Sequence, residues 1–152
     1  MLFCDDKKRQ DNLQKIIHLL PELDWALYEK EAGSGTFDLL EWLAGFEMEE
    51  SDNKASILKA TKNLDGVCAE EYSYIVGKMY LKDKKAFLQA LVGLSDEKQK
   101  PVYEYVAHYC SYFDLKKIIA ETEELSVDDS LTQEERKCAD KLIISLNEIQ
   151  KN

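Results

Sequence analysis

The stretch TQEERKCADKLIISLNEIQ, residues 132–150, decides the fold. Thr132 and Glu135 stand three apart as a capping box, in which each side chain satisfies the other residue's free backbone N–H. Behind them Cys138, Leu142, Leu146 and Ile149 recur at steps of three and four, the period of one helix face. A start signal followed by that period specifies an amphipathic helix.

The same period fills the chain upstream. A helix is expected from Leu115 to about Leu125, following or continuous with one that Pro101 starts. In the latter, Tyr105, Tyr109 and Tyr112 align with Val102, Val106, Cys110 and Phe113 as a broad apolar face, expected to be the buried spine. Phe87, Leu91 and Leu94 mark a shorter helix, and Cys68, Tyr72, Ile75, Val76 and Met79 share one face of a helix over about Val67 to Lys82. Ser51 or Asp52 caps a helix with the stripe Ile57, Leu58, Thr61 and Leu64, for which Gly66 reads as the stop. Thr36 reads as the cap of a helix through Glu49 carrying Phe37, Leu40, Leu43 and Phe46. The first helix, about Lys8 to Leu20, carries Leu13, Ile16, Ile17 and Leu20; Pro21 ends it or opens the second, which stops at Gly33-Ser34-Gly35.

With only two prolines and six glycines, and no strand-like alternation outside helical patterns, the chain reads as all-α. Loops this short make consecutive helices antiparallel neighbours. No linker rich in Pro, Gly or Ser divides it. The expectation is a single compact domain over residues 1–152, with about eight or nine short antiparallel helices in a bundle or helical-hairpin array.

Residues 70–101 show a partial tetratricopeptide spacing: Val76-Gly77 followed by Tyr80, with Pro101 in the closing position. Ala90 falls one position out, and no neighbouring segment repeats the pattern. Stacked repeats need several units to bury a core, so the spacing is read as coincidence.

Composition narrows the function. A hydrophobic fraction of 45% with 33% charged residues belongs to a globular chain. The net charge of −10 argues against direct nucleic-acid or anionic-membrane binding, which needs clustered Lys or Arg. No apolar run approaches the roughly 18 residues of a membrane span, and the opening Met1-Leu2-Phe3-Cys4 meets Asp5-Asp6 too soon for a signal peptide. Cys4, Cys68, Cys110 and Cys138 are far apart with no CxxC pair, so buried free thiols and a cytoplasmic protein are expected.

Chemistry-bearing motifs are weak. His18 lies off its helix's apolar stripe and should face solvent; His108 stands four residues after Glu104, a spacing that permits a pair. Neither histidine has the Glu-x-x-His of a di-iron bundle or the His-Glu-x-x-His of a zinc protease. Gly33-Ser34-Gly35 lacks the preceding strand and Lys-Ser/Thr tail of a phosphate loop, and Glu31 and Asp38 would repel phosphate. Adjacent acids such as Glu70-Glu71 and Asp128-Asp129 lack the cleft of a glycosidase pair and the central glycine of a calcium loop, leaving at most weak divalent binding. No cofactor, metal or catalytic residue is expected.

The acid is concentrated. Between Glu22 and Asp52 stand ten carboxylates and one cation, Lys30; between Glu121 and Glu135 stand seven carboxylates and no cation. Both tryptophans, Trp25 and Trp42, fall in the first stretch. Surfaces of this kind are either plain solvated faces or built to meet a basic protein. The leading expectation is a non-catalytic protein of inhibitor or immunity type, whose carboxylates stand in for phosphates and occlude a basic site on a toxin or nucleic-acid-handling partner. Its expected contacts are Glu41, Trp42, Glu47, Glu49, Glu50, Asp52, Glu121, Glu123, Glu124, Asp128 and Asp129. The alternative is a helical-hairpin adaptor that takes a peptide or helix in an apolar groove lined by exposed Trp or Tyr.

Overall fold

Five helices start on a side chain that accepts a backbone N–H three residues on: Asp24 from Leu27, Asp83 from Ala86, Ser95 from Lys98, Asp114 from Lys117 and Thr132 from Glu135. Each cap satisfies a donor that the helix itself leaves free, an effect of about 1 kcal/mol. A computed structural model describes residues 2–45 and 51–152, and the described residues form nine α-helices and no strand. They are α1 (Leu2–Leu19), α2 (Trp25–Ala32), α3 (Gly35–Gly45), α4 (Ser51–Leu58), α5 (Gly66–Lys82), α6 (Lys84–Val92), α7 (Asp96–Cys110), α8 (Leu115–Ser126) and α9 (Gln133–Lys151). A 3-10 turn at Leu20–Glu22, holding Pro21, separates α1 from α2.

The all-α expectation is borne out, with corrections at element ends. Pro101 does not start α7 but sits inside it, because Ser95 caps the helix six residues earlier with Asp96 and Glu97 in the first turn. That cap, with acids near the positive helix end, outweighs the one backbone bond the proline removes. Gly66 begins α5 rather than ending α4, at a positive φ of 54° suited to glycine. Thr36 does not cap α3; it lies in the first turn and is fully buried. Ser111 to Asp114 breaks α7 from α8, so the two are not continuous.

The core runs through the second half of the chain. Tyr72, Val76 and Tyr80 of α5, Phe87, Leu88 and Leu91 of α6, Val102, Val106 and Cys110 of α7, and Leu142 and Leu146 of α9 are essentially inaccessible. α5 lies along α7, and α9 packs against α6, α7 and α8, while α4 meets α6 and α3 lies on α5. Ring contacts pair Tyr72 with Tyr105 and Tyr74 with Tyr109, so α5 and α7, which are not consecutive, run in the same direction. α9 runs the other way: Lys141 reaches Asp96 at 2.9 Å at the start of α7, while Cys138, earlier in α9, meets Tyr103, later in α7.

Most buried polar atoms find partners, as burial without them would be costly; among the described residues Thr36 Oγ1 and Arg136 Nε have none. Trp25 Nε1 donates to the Ala60 carbonyl at 2.8 Å, so this tryptophan is core and not interface. Tyr72 donates to the Ile57 carbonyl at 2.7 Å, and the Tyr80 hydroxyl pairs with Thr122. Gln99 Nε2 donates to the Leu91 and Leu94 carbonyls while its Oε1 accepts from Tyr103, closing the α6–α7 turn. Cys68, Cys110 and Cys138 are buried free thiols, as their place on apolar faces led us to expect.

Candidate functional site

The spine of α7 holds the expected Val102, Val106 and Cys110 but not the expected tyrosines. Val102, Tyr103, Val106, Ala107 and Cys110 point into the core, whereas Tyr105 and Tyr109 are half-buried. Tyr112 is 73% exposed and Phe113 51%, just beyond the last turn of α7. The apolar period of a helix is broad enough to include a flank, and on this flank α5 covers Tyr105 and Tyr109 only in part.

Between that flank and α5 lies a groove of about 180 Å³, lined by Glu70, Ser73, Tyr74, His108, Tyr109 and Tyr112. α5 supplies the first three at i, i+3 and i+4, one side of a helix. Close approach of the two helices depends on Gly77, where a Cβ would fall on the ring of Tyr109. Tyr74 and Tyr109 meet edge-on with ring centroids 5.6 Å apart, and Tyr109 and Phe113 pack at 5.1 Å. His108 and Tyr112 pack edge-on at 5.5 Å, with the phenol oxygen 3.4 Å from Nε2. His108 therefore partners Tyr112 rather than Glu104. At the other end Lys78 Nζ lies over the Tyr74 ring, 5.6 Å from its centroid.

The lining combines aromatic rings with one carboxylate, one serine hydroxyl and one imidazole. Ser73 Oγ donates to the Ala69 carbonyl at 2.9 Å, which engages the proton that a nucleophile would pass to a base. Burial holds the Tyr109 phenol above its ordinary range, helped by the neighbouring Tyr74 and Cys110. Among the described residues no group of three or more His, Cys, Asp or Glu is gathered to hold a metal ion. No described helix is long and apolar enough to cross a membrane.

The residues expected to bind a partner are dispersed. Glu41 on α3 and Asp52 on α4 are exposed, and Trp42 is half-buried against the core. Glu47, Glu49 and Glu50 lie outside the described residues. Glu121 is bridged by Lys84 at 3.0 Å and reaches Lys117 at 3.9 Å. Asp128 is held in the α8–α9 turn by Ser130, whose hydrogen bonds lower its carboxyl pKa. Asp129 lies 3.4 Å from Arg136, and Glu134 3.0 Å from Lys137. Glu135 is buried in the capping box. Glu123, Glu124 and Asp128 of this stretch are exposed and outside the ion pairs of the described residues, and of these Asp128 is tied to Ser130. α3 packs on α2 and α5, α8 on α9, and among the described residues no seam joins α3 to α8.

The fold thus brings cations to carboxylates that look unopposed along the chain. Charge counted by sequence window misses this, because Lys84, Lys117, Arg136 and Lys137 lie before or after the acidic stretch. The groove was missed for the converse reason: its aromatics were assigned to the spine. Comparison with protein-family models, with curated proteins and with solved structures finds no match to this chain.

Proposed function

We propose that this chain is a non-catalytic protein-binding module for a basic partner, and that the aromatic groove between α5 and α7 is its docking face. One observation carries the reading: Tyr74, Tyr109 and Phe113 pack as one set of rings and His108 with Tyr112 as another, at a surface where Tyr112 and Phe113 are more than half exposed. Tyrosine is enriched among residues that dominate binding energy, because a rigid ring loses little conformational freedom on binding. Glu70 in the groove, and a net charge of −10 around it, suit a positively charged partner. This joins the groove of the adaptor alternative to the basic partner of the leading expectation.

The occlusion reading keeps a narrower base. Glu123 and Glu124 lie in the last turn of α8, which holds no basic residue, at the end where the helix dipole disfavours negative charge. Acids held there at a cost in stability suit a surface kept for binding.

The test is parallel capture from a native lysate with the wild-type chain, with Tyr112→Ala/Glu70→Lys, and with Glu123→Lys/Glu124→Lys. A partner that the groove variant loses and the α8 variant keeps supports the groove. The opposite pattern moves the interface to α8 and supports occlusion. A partner retained by both overturns both surfaces.

A further inference from the structure

The groove has the size and the donor–acceptor character of a site for one side chain. Pockets for drug-sized ligands run from about 300 Å³ upward, so a groove of about 180 Å³ suits a single head group. Its polar lining offers acceptors to a cation, since the phenol hydroxyls can accept as well as donate. Glu70 is an acceptor when ionised, and Ser73 Oγ has its proton engaged with Ala69 and its lone pairs left over. The flat walls are tyrosine rings, whose faces attract cations. Lys78 over Tyr74 shows that preference within the chain itself.

Resting on the docking role proposed above, we infer that the groove recognises an arginine side chain of the partner protein, the guanidinium stacking against Tyr109 or Tyr112 and bonding to Glu70. Guanidinium is the cation that matches this lining. It is planar, so it stacks, and it carries five donors for the carboxylate and hydroxyl acceptors. A lysine ammonium is a compact, strongly hydrated charge that does not stack, and a methylated ammonium has too few donors to satisfy Glu70 and Ser73. Among the described residues, Lys78 is the cation seen over a lining ring, and it sits at the Tyr74 end, leaving the His108–Tyr112 end to the ligand.

The test is an NMR titration of the full chain with acetyl-arginine-amide, acetyl-lysine-amide and tetramethylammonium as probes. The arginine amide is expected to move the resonances of Ser73, Tyr74, His108, Tyr109 and Tyr112 saturably, and to bind about two- to fivefold more tightly than the lysine amide. Tyr112→Ala and Glu70→Gln should each weaken it by a similar factor, and Tyr112→Phe should restore it. Tyr112 is 73% exposed, so its removal leaves the core intact. Equal or tighter binding of tetramethylammonium or the lysine amide overturns the guanidinium assignment, as do shifts spread over α3 and α8 without saturation. If the lysate partner still needs the groove while the arginine amide fails, the docking role stands and the arginine falls.

Discussion

Burial pushes the Cys110 thiol up to about 12 from an ordinary value of 9.0, against the opposing pull of the Lys84 charge. The unfolded chain releases this proton near pH 9, while the folded chain holds it until about pH 12. The folded state therefore has this group's full contribution below pH 9 and loses it as pH rises toward 12. Burial raises the Tyr80 and Tyr103 phenols as well, so their contributions start to fade from about pH 10. The urea midpoint, followed by circular dichroism, is expected to hold level from pH 7 to 9 and to fall steadily above. Cys110→Ala should flatten the first part of that fall and leave the tyrosine part. Identical alkaline profiles for the two chains would show that Cys110 is not buried as described.

At the level of the elements, Gly77 sets how close α5 and α7 come. Gly77→Ala puts a methyl where the Tyr109 ring lies, and a well-packed seam resists added volume by about 1–3 kcal/mol. Because Tyr109 also lines the groove, the substitution should cost stability and binding together. Denaturation midpoints with a partner-capture assay check this; a variant as stable as wild type would mean the seam is looser than the structure has it. Gly77 shows what periodicity leaves out, since it reads as one small residue on an apolar helix and its meaning is the ring facing it from α7. The start of α9 was legible because both members of its capping box lie within four residues. The start of α7 was misplaced because Pro101 suits a first helical turn, while the deciding cap, Ser95, lies in an ordinary-looking Leu-Ser-Asp run. The groove was legible only as aromatics. Which of them a neighbouring helix covers is decided by how α5 lies across α7, a long-range relation that no local spacing contains.

Over the whole molecule, burial is uneven along the chain. α5, α6, α7 and α9 each contribute several inaccessible side chains to one another's faces. Among the described side chains of α1, Ile17 alone is buried, whereas Ile16 is 39% exposed and Leu19 66%. α1 is anchored through its last turn against α4 and the 3-10 turn after it. Helix propensity alone holds an isolated helix of this length marginally in water, so α1 depends on contacts such as that of Ile17 for its protection. Opening free energies in native proteins range from near zero to the global value according to such contacts. Hydrogen–deuterium exchange is therefore expected to show α1 exchanging by local opening, slowest around the buried Ile17 and insensitive to low urea. Amides of α5, α7 and α9 should exchange only through global unfolding, with opening free energies that fall with urea as the denaturation curve does. Protection of α1 equal to that of α7 would contradict this division. It would also place the docking groove, built on α5 and α7, in a molecule that opens as one unit rather than on a rigid platform with a loosely held first helix.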